Sequence, residues 1–464
     1  MELVFKEKDT LELDIIDQNY DGLGIAKVDG YTIFVSGAII GERVKAKIDR
    51  VGKSYGESHV TQVLKRSKYR VEPKCPYFPK CGGCSLLHMS YQSTLLIKKN
   101  AFIETLKRIG GVDVKIEEVI GMDCENGKTP QAFRNKIQMP VAQVNGKLIC
   151  GYYEKETHNV IGIDKCLSQS DNVTDLIKYV KNICNDYKVT CYDESTHKGQ
   201  LRHILVRENY LGELMLVLIV DEKIKAIDEI CEKVKTKFSN VVSVIENINK
   251  KKNNVILGDE SITLYGKDEL IDCVLDTKYR LSHMSFFQVN REQTNKLYSK
   301  VLEYLEDGKN NVSDMNVIDG YCGVGSISLA LAKKVKKVYG IEVVEEAIRD
   351  AKMNAKINGI NNVEFYCDKV EDKISELIDN DIDCVVIDPP RKGVEASVLN
   401  SLIENKIKKI IYVSCNPATL ARDLSILKEY YRVDKISLVD MFCYSSGIES
   451  VCLLTNRAGN ISKK

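Results

Sequence analysis

Cysteine and carboxylate side chains in the C-terminal third stand where they could transfer a group to carbon. In Val413-Ser414-Cys415-Asn416-Pro417-Ala418-Thr419 a cysteine follows an apolar run and precedes a proline-stiffened turn, which suits a nucleophile better than a small buried thiol. Glu449, in Ser446-Gly447-Ile448-Glu449-Ser450-Val451, opens another apolar run and is the available carboxylate, although by sequence alone it could equally lie on the surface. A thiol and a carboxylate are the parts needed to methylate C5 of uracil. That carbon is too electron-poor to attack a sulfonium methyl unaided. Addition of a thiolate to C6 turns C5 into an enolate carbon, and a base must afterwards remove the C5 proton so that the thiol can leave.

A cofactor cleft is legible upstream. Asp319-Gly320-Tyr321-Cys322-Gly323-Val324-Gly325 follows a strand-like run and precedes an apolar helix, so its glycines permit a tight turn and leave helix N–H groups facing a ligand. Glu342 ends the next strand, where an acid commonly accepts hydrogen bonds from ribose hydroxyls. The two signals favour an adenosine-type cofactor without separating NAD from S-adenosylmethionine by spacing. The turn lacks the third glycine of the dinucleotide fingerprint, which favours S-adenosylmethionine. Asp388-Pro389-Pro390-Arg391-Lys392-Gly393 ends a later strand, and its two prolines hold the backbone extended, suited to fixing a flat base at the cofactor.

A second chemistry is written in the first third. Cys75 and Cys81 stand six positions apart, Cys84 follows three later, and Gly82-Gly83 gives the backbone room for a tight three-thiolate arrangement. Pro73, Pro76 and Pro79 make this stretch a rigid loop. Ligand count leaves zinc and an iron–sulfur cluster open. Most of the sixteen cysteines read as reduced, buried small hydrophobes, because Met1–Thr10 carries three acids and no apolar signal segment.

Three textures of sequence must position these groups, in keeping with about three domains for 464 residues at ~150 each. Residues 1–66 alternate with a two-residue period between glycines, the pattern of a small β-barrel of the oligonucleotide/oligosaccharide type. Arg43–Ile48 is its clearest strand, with Val44, Ala46 and Ile48 on one face and Arg43, Lys45 and Lys47 on the other. Nine Lys/Arg against two acids between Arg43 and Arg70 make a local basic patch in a chain of net charge +1, fit for phosphate contact.

Residues 67–285 read as a central α+β domain, with a helix over 91–109 that could pack on the catalytic domain and a doubly buried strand at Leu214–Val220. Residues 286–464 read as a doubly wound, Rossmann-like α/β domain. Its strands are expected at Val317–Asp319, Val338–Glu342, Val363–Cys367, Cys384–Asp388 and Ile410–Cys415, behind a helix opened by an Asn290/Gln293 capping box. The longest apolar run, Leu214–Val220, has seven residues against the ~20 of a spanning helix, so no membrane segment is expected.

The chain resembles the uracil-5 RNA methyltransferases, which make 5-methyluridine from S-adenosylmethionine. The resemblance lies in Asp388-Pro389-Pro390-Arg391, in Ser414-Cys415-Asn416-Pro417-Ala418-Thr419, in Glu449, and in Ser285-Phe286-Phe287-Gln288-Val289-Asn290. It implies a class I methyltransferase domain with Cys415 as nucleophile, Glu449 as base, and Gln288, Tyr321, Glu342 and Asp388 as S-adenosylmethionine contacts. It implies that residues 1–66 form a TRAM barrel, the RNA-gripping module of the ribosomal RNA branch. It also implies that Cys166 joins Cys75, Cys81 and Cys84 around a [4Fe-4S] cluster of structural role, since this methylation moves no electrons. Arg134 resembles a basic RNA-contacting stretch. One departure is local: the family usually has Pro and a His or aromatic after the residues matching Met441-Phe442, where this chain has Cys443 and Tyr444, with Gly447 further on.

The expectation is a cytoplasmic enzyme that methylates C5 of a uridine in 23S ribosomal RNA, with no obligate protein partner. Its target base must leave the stack to reach Cys415. The alternatives are the same reaction on the T-loop uridine of transfer RNA, and a non-catalytic RNA-binding protein that keeps a methylase fold.

Overall fold

The computed structural model describes residues 5–19, 21–124, 129–307 and 311–457. The start of the Met1–Thr10 stretch and the end of the C-terminal domain as read from sequence lie outside the described residues.

Two-residue alternation becomes a small sheet at the N-terminus. Its six strands run in the order Thr10–Asp14, Arg43–Val51, Tyr55–Lys65, Tyr31–Ser36, Gly24–Val28, Asp17–Gln18. Val44, Ala46 and Ile48 point inward with Ile33 and Val35, while Arg43 and Lys47 face solvent. The basic patch is smaller than the sequence count implies, because three of its arginines are paired. Arg43 meets Glu12 at 3.4 Å, Arg66 meets Glu72 at 2.7 Å, and Arg70 is turned inward. Arg70 bonds Glu42 at 2.6 and 2.7 Å and the Gly37 carbonyl at 2.7 Å, fastening the barrel to the loop that follows.

A seven-stranded sheet occupies the middle, in the order Val160–Gly162, Lys147–Tyr153, Lys136–Val144, Leu201–Glu208, Leu214–Val220, Val241–Ile248, Glu260–Gly266. Leu214–Val220 is buried along its whole length, as its unbroken apolar run requires. Helices Asp171–Asp186 and Ile227–Lys237 cover one face with residues such as Ile177, Val180 and Ile230.

The C-terminal sheet has eight strands. Val363–Cys367, Lys337–Glu342, Asn316–Gly320, Ile382–Ile387 and Lys409–Ser414 run parallel, followed by Glu449–Asn456, Tyr431–Val439 and Glu118–Ile120. Glu449–Asn456 is antiparallel to both neighbours. Asn290 caps the helix Arg291–Glu306 by accepting from the Gln293 N–H, but the Gln293 side chain does not return the bond and lies buried without a partner.

The segment 91–120 sits with this C-terminal sheet although it precedes the middle sheet in the chain. Helix Tyr91–Thr105 runs on as a π turn over Leu106–Gly110, and Glu118–Ile120 adds the edge strand beside Tyr431–Val439. Phe102 and Leu106 enter the same core as Leu420, Leu424 and Leu427 of the helix Pro417–Leu427. Along this helix the faces are not sorted by hydropathy alone: Leu96 is exposed and Lys98 is buried. No helix among the described residues is long and apolar enough to cross a membrane.

Phe102 is fully buried, so Phe102→Ala is expected to destabilise the protein by about 3–5 kcal/mol. Urea unfolding followed in the C-terminal core checks this, and an unchanged midpoint would detach the helix from that core.

Candidate active site

Strand direction brings the nucleophile candidate and the carboxylate together. Ser414 pairs with Ser450 across the antiparallel strands, so Cys415, one residue beyond the first strand, stands opposite Glu449, the first residue of the second. Glu449 is buried and Cys415 half-buried. Burial, then the Asp388 carboxylate, push Glu449 up to about 8, with Arg391 opposing. Burial, then Glu449 and Asp388, push the Cys415 thiol up to about 11, again against Arg391. Asp388 itself is raised to about 7 by burial. Glu449, Asp388 and Cys415 therefore lie within electrostatic reach of one another, with the exposed Arg391 at their rim.

The arginine loop is latched to the cysteine turn. Asn416 caps the helix Pro417–Leu427 by accepting from the Ala418 N–H at 3.0 Å, and its amide donates to the Arg391 carbonyl at 3.0 Å. Asp423, fully buried, accepts from the Tyr412 hydroxyl at 2.7 Å, the Val394 N–H at 3.0 Å and Arg422 at 2.7 Å. A side chain at Gly393 would strike Asp423 and Arg422, and φ there is +81°, so only glycine lets the loop lie this close. Sequence reasoning missed Asp423; a carboxylate on the apolar face of a predicted helix was the signal.

The glycine turn lies at the adjoining strand ends. Glu342 accepts from the Gly323 N–H at 3.2 Å and the Val344 N–H at 3.0 Å, which holds its carboxylate against the turn. Tyr321 sits at φ 66°, the left-handed region that a non-glycine residue enters only under constraint. A Cβ on Gly323 would meet nothing within 4 Å, so the turn borders open space. Asp319, also missed from sequence, is fully buried, bonded to Ser328 through one oxygen and unpartnered at the other. Gln288 is half-buried, and its carbonyl accepts from the Asn135 amide at 2.9 Å. Tyr321, Glu342 and Asp388 thus stand at or just past the ends of adjoining parallel strands, while Gln288 lies on the segment before the helix Arg291–Glu306. An open turn, an unpartnered buried carboxylate oxygen and an acid at the second strand end suit a nucleoside with hydroxyls and a cationic end.

Cys75, Cys81, Cys84 and Cys166 line a single cavity of about 150 Å³, with Arg134, Phe442, Tyr444 and Ser445 on its walls. Arg134 belongs to this cavity wall rather than to an open surface. Burial and the neighbouring thiols push Cys84 up to about 12. Among the described residues no three Cys, His, Asp or Glu side chains come close enough to hold a single metal ion. The loop before Glu449 forms part of the wall and is tied on several sides. Lys98 makes a buried ion pair with Asp440 at 2.6 Å and donates to the Phe442 carbonyl at 2.9 Å. Asn290 donates to the Met441 carbonyl at 3.2 Å, and the Ser85 and Leu86 N–H groups donate to the Tyr444 carbonyl at 2.9 and 3.0 Å.

Fold and site together define an α/β methyltransferase carrying an N-terminal TRAM domain. The chain belongs to the tRNA (uracil-5-)-methyltransferase family, whose model matches residues 126–457, while the TRAM model matches residues 5–61. It is 44% identical to an uncharacterized RNA methyltransferase of Clostridium tetani over 97% of each chain, and 42% identical to one of Bacillus cereus over 96% of each. Among solved structures it is similar to the Pyrococcus abyssi tRNA (uracil-54, C5)-methyltransferase in complex with S-adenosyl-L-homocysteine. That match has TM-score 0.75 at 26% identity and covers 96% of this chain and 100% of the other.

The buried acids carry a pH signature. A carboxylate whose folded-state pKa lies above its unfolded value stabilises the fold fully below the unfolded value, about 4, and loses that contribution as pH rises through the folded value. For Asp319 and Asp388 the folded value is about 7 and for Glu449 about 8. The cofactor-free protein is therefore expected to melt at lower temperature at pH 9 than at pH 6, and Asp388→Asn to shrink that difference. Scanning calorimetry across this range checks it; an equal pH dependence in the variant would place the effect elsewhere.

Proposed function

We propose that this enzyme methylates C5 of a uridine in 23S ribosomal RNA, using S-adenosylmethionine and a covalent adduct between Cys415 and C6 of the base. The observation that carries the reading is the side-by-side exit of Cys415 and Glu449 from paired strands beside the glycine-turn cleft. S-adenosylmethionine, held by Gln288, Tyr321, Glu342 and Asp388, supplies an electrophilic methyl group. The Cys415 thiol loses its proton to solvent, and the thiolate adds to C6 as the C5–C6 electron pair moves to C5. C5 takes the methyl as the methyl–sulfur bond breaks and S-adenosylhomocysteine leaves. Glu449 then removes the C5 proton, the C5–C6 double bond re-forms and the Cys415 bond breaks. A carboxylate raised to about 8 holds a proton well enough to serve as that base and to pass it on afterwards. Arg391, which opposes the rise of both groups, is the positive charge available to their ionised forms.

The four cysteines of the cavity fit a [4Fe-4S] cluster in this reading. The support is that Cys75, Cys81, Cys84 and Cys166 line one space of about 150 Å³; four thiolates also suit zinc, and the cluster is preferred on the family resemblance. Such a cluster supplies no step of the methylation; it would fix the wall formed by Phe442, Tyr444 and Ser445, and through it the loop before Glu449.

Ribosomal RNA is favoured by the TRAM barrel combined with the cysteine loop. Transfer RNA is the second reading, favoured by the full-length likeness to the archaeal tRNA enzyme. Nucleoside mass spectrometry of separated 23S ribosomal and transfer RNA, from cells with and without the gene, is expected to lose 5-methyluridine from the 23S fraction only. Loss from transfer RNA alone would overturn the substrate.

Cys415→Ala is expected to abolish methyl transfer while RNA affinity persists, and Glu449→Gln to accumulate a covalent protein–RNA adduct visible on a denaturing gel. A Glu449→Gln enzyme that turns over without a trapped adduct would refute the base.

A further inference from the structure

Lys136 and Arg207 face each other across two strands of the middle sheet. Their antiparallel register pairs them directly. Ile137 and Val206, the next residues along, enter the core beneath the two helices, so Lys136 and Arg207 project from the opposite face. Like charges directly opposite on paired strands destabilise a sheet. Here the repulsion is sharpened by burial, for Arg207 is only 3% exposed.

Neither cation is neutralised locally. Arg207 donates to the Ser285 carbonyl, and its Nε lies buried with no partner. Asp272, the acid nearest in charge to Arg207, is already held by Arg291 in two hydrogen bonds of 2.7 and 3.0 Å. Lys136 is half-buried and forms no ion pair among the described residues; burial and Arg207 push its amine down to about 7. His283 is pushed down first by burial and then by Arg207 and Lys136, with Asp268 opposing, and its Nδ1 is buried without a partner while Nε2 meets Ser261 Oγ at 2.8 Å.

The pair also lies against the segment 285–288, which carries the expected cofactor contact Gln288. Asn135, adjacent to Lys136, is the residue bonded to the Gln288 carbonyl. Met284 and Phe286, on either side of the Ser285 carbonyl that Arg207 holds, are exposed, Phe286 by 74%. A half-open cation next to an exposed aromatic face is the combination by which single-stranded nucleic acid is gripped through backbone and base together.

We propose that Lys136, backed by Arg207, binds a backbone phosphate of the RNA next to the target uridine. A phosphate held there would offset the repulsion between the paired cations and give the buried Arg207 Nε a partner. The inference rests on RNA being the substrate, and its test separates the two. The full-length protein is titrated into two labelled uridine-loop hairpins, one of 23S and one of transfer RNA sequence, over a range of salt concentrations. In parallel, S-adenosylmethionine affinity is measured by calorimetry and stability by thermal melting.

Lys136→Gln is expected to weaken RNA binding about five- to tenfold and to flatten the slope of log Kd against log salt by about 0.7–0.9, the loss of one phosphate contact. Lys136→Arg is expected to restore both, since it keeps the charge. S-adenosylmethionine affinity is expected to stay unchanged, and the melting temperature of Lys136→Gln to equal or exceed that of the parent, because a repulsion has gone. An unchanged salt slope in Lys136→Gln would overturn the proposal, and so would a loss of S-adenosylmethionine affinity, which would make the cofactor carboxylate the occupant. Failure of the parent protein to bind either hairpin would overturn the substrate reading beneath it.

Discussion

One strand running the wrong way organises the site. In a parallel sheet every strand delivers its last residue to the same edge, where ligands bind. Glu449–Asn456 is inserted antiparallel between Lys409–Ser414 and Tyr431–Val439, so it delivers its first residue to that edge instead. Cys415 at the end of one strand and Glu449 at the beginning of the other therefore meet without any special loop geometry. The same pairing buries Glu449, and burial raises its pKa. The latch of Asn416 and Asp423 on the Arg391 loop, and the ties on the loop before Glu449, then fix what strand direction has already brought close.

Much of this was legible because the chemistry sits at strand ends. The five parallel strands, Asn290 as a helix cap, the fully buried Leu214–Val220 and the inward face of Arg43–Val51 follow from local periodicity, which tertiary packing did not override. The uracil-5 methyltransferase resemblance agreed with the family model across residues 126–457. What could not be read involves partners distant in sequence. The burial of Lys98 is one such case, because its partner, Asp440, lies 342 residues away. Arg70 looked like part of a phosphate-binding patch because Glu42, which takes it inward, lies 28 residues earlier, in the turn before the strand Arg43–Val51. The repelling Lys136–Arg207 pair is set by register, which a single sequence does not state.

Two parts of the chain that look independent in sequence share a wall. Phe442, Tyr444 and Ser445, which lead to Glu449, line the cavity of the four thiols. Ser85 and Leu86, just past the cysteine loop, grip Tyr444 through its carbonyl. This is where the sequence departs from the usual pattern, with Cys443 fully buried and Tyr444 turned to the cavity. Whatever fills or empties that cavity acts on the backbone holding the carboxylate.

The route of the chain has a consequence for synthesis. Helix Tyr91–Thr105 and strand Glu118–Ile120 emerge early, yet the helix Pro417–Leu427 that the first packs beside and the strand that pairs with Ile120 are made from residues beyond 400. Outside this early segment, the core around Phe102 begins only at Ile318. Until those residues leave the ribosome, the helix has an apolar side with nothing to rest on and the short strand has no neighbour. Contacts of such long sequence separation form slowly. The barrel and the middle sheet can close as they appear, whereas the catalytic body closes only when the last strand arrives. A nascent chain stalled late in synthesis would thus hold two finished sheets and an unshielded hydrophobic helix between them, the state most in need of a chaperone.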